Sequence, residues 1–177
     1  MDKIQTTYFK TPLGELILGS MDHQICLCDW RYRKMRASID ERIQSGLQAV
    51  YVEEGSDIIE ETKAQLSQYF KGERQQFDVS LLLVGSEFQK QVWNELLRIP
   101  FGKTKSYAGL SKKLGNIEAI RAVASANGAN AISIIVPCHR ILGSDGSLTG
   151  YAGGLETKKK LLLLENAFQQ GELPLGF

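Results

Sequence analysis

The feature that most restricts the fold is a change of hydrophobic period part-way along the 177 residues. Early in the chain apolar residues recur at every second position, as a half-buried strand requires; after Ser86 they recur every three or four, as an amphipathic helix requires. Leu16 and Leu18 alternate after the turn-like Thr11-Pro12-Leu13-Gly14, which predicts a β-hairpin with Tyr8 to Lys10. Ile25 and Leu27 face one way and Cys26, Cys28 and Trp30 the other, as in a third strand. Ile58, Ile59, Leu66, Tyr69 and Phe70 lie at near-helical spacing over residues 57 to 70 and stop at Lys71-Gly72, as a helix with a glycine C-cap does. Residues 34 to 54 fit neither period and are left unassigned.

Beyond residue 85 the helical signals are stronger. Ser86 and Gln89 form a capping box, and Phe88, Val92 and Leu96, with Trp93 and Leu97 beside them, make an apolar stripe that ends before Pro100. Residues 106 to 114 predict a short helix closed by Gly115, and Asn116 can cap a second one over residues 117 to 127, terminated by Gly128. Two short helices joined by Gly115-Asn116 suggest a helix-turn-helix. Apart from Glu118 and Arg121 the second helix is mostly small or apolar, with Ala119, Ala122, Ala124, Ser125 and Ala126. Such a surface either packs two helices tightly or lets a backbone approach DNA closely, with Arg121 as the one long probe. The expectation is an α+β N-terminal domain, a small antiparallel sheet with a helix, over residues 1–84. A mostly α C-terminal domain with a helix-turn-helix follows over residues 85–177.

With 43% hydrophobic and 23% charged residues the composition is that of an ordinary globular protein, which argues against disorder. The first residues carry no basic start leading into an apolar run, so no secretory signal is expected, and no stretch reaches the roughly 18 apolar residues a membrane helix needs. Three cysteines, unevenly spaced, argue against a disulfide framework and for a reducing, cytoplasmic setting. Charge is unevenly divided: 10 Lys and Arg stand against 13 Asp and Glu up to Gly85, and 11 against 7 beyond it. The surplus in the second half hints that it faces a polyanion.

The chemistry gathers near Cys138. The run Ile132-Ser133-Ile134-Ile135-Val136 reads as a buried, extended approach to Pro137-Cys138-His139-Arg140. Cationic neighbours favour a thiolate, although a small buried hydrophobe is the commoner fate of a lone cysteine. Neighbours on an extended chain point to opposite sides, so His139 needs a bridging water or a sharp turn to take the Cys138 proton. Residues 143 to 154 contain five glycines with Ser144, Asp145, Ser147 and Thr149, loop chemistry able to fold over a ligand. A helix is expected over residues 155 to 168, with Leu161, Glu165 and Phe168 on one face. Glu165 is then either an exposed helical carboxylate or one carried inward to orient His139.

Taken together these residues resemble the O6-alkylguanine-DNA alkyltransferase family, the methylated-DNA protein-cysteine methyltransferases. The resemblance spans the second half. It is carried by Phe88 to Trp93, Ile99-Pro100-Phe101-Gly102, Ser106-Tyr107, Arg121-Ala122-Val123, Asn130, Ile135-Val136-Pro137-Cys138-His139-Arg140-Ile141, Gly150-Tyr151-Ala152-Gly153-Gly154 and Glu165. In the first half it is weak. The resemblance implies a ribonuclease H-like N-terminal fold and a winged-helix-like C-terminal one. It implies irreversible, single-turnover transfer of a methyl or other alkyl group from O6 of guanine, and from O4 of thymine, to Cys138 by displacement on a flipped base.

In that scheme His139 is a water-mediated base, Glu165 holds His139, Asn130 supports the turn, and Tyr107 donates to the ring N3. Arg121 fills the vacated place in the stack, while Ala122, Ser125 and Ala126 line the DNA and Ile141, Tyr151, Ala152 and Gly153 the base. Ala152 stands where some members have serine, so side-chain help to O6 is lost. The implied partner is double-stranded DNA met in the minor groove by a monomer, without membrane association. Some relatives hold zinc, but His23, Cys26 and Cys28 on one strand make a poor tetrahedral site, so no metal or cofactor is expected.

Three other readings stay open. A lesion-binding relative would bind alkylguanine without changing it, a cysteine hydrolase would turn over an ester, and a helix-turn-helix regulator would bind one DNA sequence with no chemistry.

Overall fold

The period-two segment at the start of the chain builds a sheet. The computed structural model describes residues 1–167. It divides into two compact units that part between Gly85 and Ser86.

In the N-terminal unit, strands β1 (Asp2–Thr11), β2 (Gly14–Met21) and β3 (Gln24–Trp30) form an antiparallel meander. The first turn is closed by Thr11, whose hydroxyl accepts from the Leu13 amide at 3.1 Å and donates to the Gly14 carbonyl at 2.7 Å. Gly14 takes φ +139°, and a Cβ there would sit 2.9 Å from the Tyr32 ring, so a side chain at this position would be strained and would displace that ring. Asp22 and His23, at φ 52° and 59°, supply the left-handed pair that a two-residue hairpin loop needs.

The unassigned stretch folds as helix α1 (Arg36–Leu47) and strand β4 (Ala49–Glu53). β4 lies beside β1 and runs parallel to it, in the order β3-β2-β1-β4, so the expected antiparallel sheet holds for three strands and not for the fourth. The helix between β3 and β4 carries the chain back in the direction of β1, which a tight hairpin cannot do. Helix α2 (Asp57–Phe70) buries Ile59, Leu66 and Tyr69 against the sheet; Ser56 caps it and Gly72, at φ 77°, follows its end. Buried Gln65 then exchanges two hydrogen bonds with the backbone of Asp78, at 3.1 and 2.8 Å. That anchor brings Ser80 and Leu82 onto Ile25, which covers the open edge of β3.

In the C-terminal unit helix α3 (Glu87–Leu96) starts from the Ser86–Gln89 capping box and buries Val92, Trp93 and Leu96. The Trp93 indole donates to the Ala126 carbonyl at 2.8 Å, tying α3 to the helix-turn-helix. That motif comprises α4 (Tyr107–Lys113), Gly115 at φ 86°, a 3-10 turn at Ile117–Ala119 capped by Asn116, and α5 (Ile120–Gly128). The second helix thus opens more tightly than expected. Gly128 lies within its last turn and not beyond it, and the cap is Ala129 in a right-handed conformation. Among the described residues the strand pairing of this unit is one short parallel contact, β5 (Lys105–Ser106) with β6 (Ile141–Leu142). Helix α6 (Leu155–Leu164) ends with Glu165 as its C-cap; Phe168, expected on its inner face, lies outside the described residues.

Removing the Ser86 hydroxyl leaves a helix-start amide without its acceptor. Ser86→Ala is expected to destabilise the C-terminal unit by about 1 kcal/mol, read as a lower urea midpoint with an unchanged slope. An unaltered midpoint would show that water replaces the cap at no cost.

Candidate active site around Cys138

The extended approach expected for residues 132 to 136 does not form. Apart from a lone bridge at Ile132 the run is made of turns, and Asn130 folds it: its amide donates to the carbonyls of Ile132 at 3.3 Å and Val136 at 2.9 Å while its oxygen accepts from the Ile132 amide at 2.9 Å. One buried side chain thus satisfies three backbone groups and draws the run into a compact turn. The turn forces Ile134 to φ 73°, a strained conformation for a β-branched residue, held by burial on all sides.

Pro137 then directs the chain into a 3-10 turn, Cys138–Arg140. With three residues per turn, neighbouring side chains diverge by about 120° and not by the 180° of a strand. Of the two routes expected for the Cys138–His139 pair, a bridging water or a sharp turn, the chain supplies the turn. All three side chains are buried, and the Ile141 amide closes the turn on the Cys138 carbonyl.

Below the turn lies a buried ionic group. Glu165 accepts from His139 Nε2 at 2.8 Å, from Arg140 Nε at 2.8 Å and from Arg140 Nη2 at 3.0 Å, while Arg140 Nη1 donates to the Ile99 carbonyl at 2.6 Å. Burial alone would push the Glu165 carboxyl up, but the charges and hydrogen bonds of His139 and Arg140 outweigh it and hold the group well below the usual range. The permanently charged Arg140 suffices to keep it ionised. His139 behaves oppositely, because burial lowers its pKa and Glu165 only partly opposes that. An ionised carboxylate only accepts, so the proton of the neutral ring sits on Nε2 and Nδ1 carries the lone pair. Nδ1 is buried and meets no hydrogen-bonding protein atom among the described residues. The Tyr151 ring stands edge-on to the imidazole, with centroids 6.4 Å apart.

The other anticipated residues divide into two groups. Tyr107, at the start of α4, donates to the Thr149 carbonyl at 3.4 Å. Burial, and then the charge of an ionised Cys138, push its hydroxyl up, so it stays a donor. Tyr151 and Ala152 are half-buried and Gly153 is buried, while Ile141 is fully buried in β6. On α5, Arg121, Ala122 and Ser125 are exposed. Ala126 is not: only 3% exposed, with its carbonyl held by Trp93, it faces the core and is removed from the expected DNA-lining set.

Two residues that composition and spacing gave no reason to select also belong here. Asn127, buried at the end of α5, lies near enough to the Tyr107 hydroxyl to offset part of the upward push on it. Lys158, fully buried on α6, donates to the carbonyls of Ile141, Thr149 at 3.0 Å and Gly150 at 3.2 Å. Within the run Lys158-Lys159-Lys160 it reads as solvated charge, and nothing in that run marks it. In the N-terminal unit burial pushes Cys26 up to about 12 and Cys28 up as well. Among the described residues no group of three or more His, Cys, Asp or Glu is arranged to hold a metal ion.

Residues 4–83 match the model of the ribonuclease-like domain of 6-O-methylguanine DNA methyltransferase, and residues 87–167 that of its DNA binding domain. The chain is 40% identical over 159 residues to a methylated-DNA–protein-cysteine methyltransferase of Methanosarcina acetivorans, covering 90% of this chain and 96% of that protein. It is 46% identical over 112 residues to the inducible methyltransferase of that name in Bacillus subtilis, covering 63% of each. Its fold resembles that of the Mycobacterium tuberculosis OGT crystallised in complex with DNA, with a TM-score of 0.77 at 36% identity over 98% of this chain and 96% of that one.

The buried group makes stability depend on pH in a definite direction. His139 titrates below 6.5 when folded, so as pH falls through 6.5 the unfolded chain takes the proton first and stability declines. Glu165, held far below 4.5, contributes stability above 4.5 that is lost as pH falls through its folded value. Urea midpoints are expected to drop from pH 8 to 6 and again from 5 to 3, with Glu165→Gln shrinking the second drop and retaining the first. Identical profiles for the two proteins would rule out an ionised Glu165.

Proposed function

Because the chain belongs to the 6-O-methylguanine DNA methyltransferase family, we propose that it repairs O6-alkylguanine in DNA by taking the alkyl group onto Cys138. The observation that carries this reading is the engagement of Glu165 with Nε2 of a fully buried His139, which leaves Nδ1 as the basic atom one residue along the turn from Cys138.

The thiol proton passes to Nδ1 through a water, and Arg140, by keeping Glu165 ionised, stabilises the imidazolium that results. The thiolate attacks the alkyl carbon opposite O6. A sulfur–carbon bond forms, the carbon–oxygen bond breaks, and its electron pair leaves with guanine, which ends with the proton that the thiol gave up. Tyr107 donates to N3 and moderates the charge on the departing base. No group in the site expels carbon from a thioether, so one molecule repairs one lesion. Alkyl groups on O4 of thymine, presented in the same way, react by the same displacement.

DNA enters, in this reading, as a duplex met in the minor groove by a single copy of the chain, in the nucleoid. The exposed face of α5 supports it: Ala122 and Ser125 are small enough for close approach, and Arg121 beside them is long enough to occupy the place of the extruded base. Tyr151, Ala152 and Gly153 line the receiving pocket, and Asn130 keeps the turn in shape. Among the described residues no helix is long and apolar enough to cross a membrane.

Intact mass after incubation with a duplex bearing one O6-methylguanine is expected to rise by one methylene, saturating at one per protein and absent in Cys138→Ser. Tight binding with no mass change would instead favour lesion recognition without chemistry. Glu165→Gln is expected to slow transfer by roughly 100-fold, at the low end of what general-base catalysis contributes, with DNA affinity nearly unchanged. Equal losses of rate and affinity would make Glu165 a purely structural residue.

A further inference from the structure

The positive surplus of the second half does not lie on α5. The exposed face of that helix carries Arg121, with Glu118 three residues before it, and the reading above commits Arg121 to the base stack and not to phosphates. Arg140 and Lys158 are buried and engaged inside the protein. A duplex is held mainly by cations set against its phosphates, so a chain that binds one needs a positive surface elsewhere.

Four of the 11 Lys and Arg beyond Gly85 surround one concavity of about 270 Å³ in the C-terminal unit: Arg98, Lys103, Lys105 and Lys113. Glu95, the acidic residue on its wall, pairs with Arg98 at 3.3 Å, which leaves the three lysine charges uncompensated. Among the described residues no carboxylate forms an ion pair with any of the three. Like charges gathered in this way repel one another, a cost that a bound anion removes.

The fold sets the cluster in place. The Lys103 amide donates to the Pro100 carbonyl at 3.1 Å and Gly102 takes φ 78°, so the chain doubles back there. Lys105 is held in β5 by its pairing with Ile141. Its side chain lies along α4, since a Cβ added to Gly109 would come 3.3 Å from Lys105 Cγ and 3.9 Å from Cδ. Gly109 and Lys113 are four apart on that helix and share a face, so Lys105 and Lys113 reach the same side. Ile99, whose carbonyl holds Arg140, forms part of the wall behind them. None of the residues that line this concavity belongs to the base pocket of Tyr107, Tyr151, Ala152 and Gly153.

We propose that this basic pocket is a second DNA contact: Lys103, Lys105 and Lys113 hold backbone phosphates at a surface separate from α5 and from the base pocket. The inference rests on the reading of duplex DNA as the partner and extends it. One surface supplies affinity without reading bases, and the other receives the extruded base.

Binding of an undamaged duplex to the full chain across a range of salt concentrations tests it, with Lys103→Gln, Lys105→Gln and Lys113→Gln combined in one variant. The slope of log affinity against log salt is expected to become shallower by roughly 2 to 3, because each lost phosphate contact removes about 0.9. A matched variant with Lys3→Gln, Lys10→Gln and Lys71→Gln loses the same charge from exposed positions of the N-terminal unit and is expected to keep the wild-type slope. A change smaller than about 1, the effect of a single phosphate contact, or an equal change in the matched variant, would overturn the proposal. On the O6-methylguanine duplex the pocket variant is expected to need at least about ten-fold more DNA for half-saturation, with transfer at saturating DNA within about two-fold of wild type. A saturating rate that falls as far as the affinity would place the lysines in the chemical step and overturn a purely phosphate-binding role. Undamaged DNA calls for no chemistry, so a wild-type protein that binds it but gains no methylene from the damaged duplex would overturn the repair reading and leave this one standing. A wild-type protein that binds no duplex would overturn both.

Discussion

Glu165 can be an ion inside the protein only because Arg140 lies against it in a two-point contact, and much of the C-terminal unit is arranged around that pair. Arg140 is in the turn that carries Cys138, whereas Glu165 caps a helix that begins beyond the glycine-rich loop. Their contact therefore closes the loop and presses α6 onto the reactive turn. The same carboxylate fixes which imidazole nitrogen keeps its proton. Removing either partner would strand the other as a buried charge, a loss of roughly 3–5 kcal/mol. The group is thus at once a structural tie and the determinant of which His139 nitrogen is basic.

Backbone geometry is held with comparable firmness just upstream. Asn130 gathers three backbone groups, and the turn that results places Ile134 in a conformation that a β-branched residue avoids. A strand would have been less strained but would have sent Cys138 and His139 to opposite faces. The strain is local, and its consequence is that adjacent residues in sequence present side chains about 120° apart.

The cysteines illustrate how environment separates packing from reactivity. Cys26 and Cys28 lie on β3, an edge strand buried on both faces, where desolvation disfavours their thiolates. They are small core residues, inert for the reason that buried thiols are. Cys138 is also buried, but in a turn whose neighbours include an imidazole, an ammonium and a tyrosine hydroxyl.

Much of this was legible in the chain itself. Local signals marked the first hairpin, α2, α3 and the helix-turn-helix, because a capping side chain, a left-handed glycine and an apolar stripe act over only a few residues. α1 and β4 escaped notice since α1 buries only Ile39 and Ile43 and carries no capping side chain, leaving little periodic signal. Motif resemblance pointed to Cys138, His139 and Glu165 and to the family. What only the tertiary structure decided is long-range: the meeting of Glu165 with Arg140 across 25 residues, the inward turn of Ala126, the bent approach to Cys138, and the burial of Lys158 beside two lysines that are not fully buried. Periodicity reports whether a residue has a buried face, but the partner that makes a buried charge tolerable lies far away along the chain, and only folding brings it into contact.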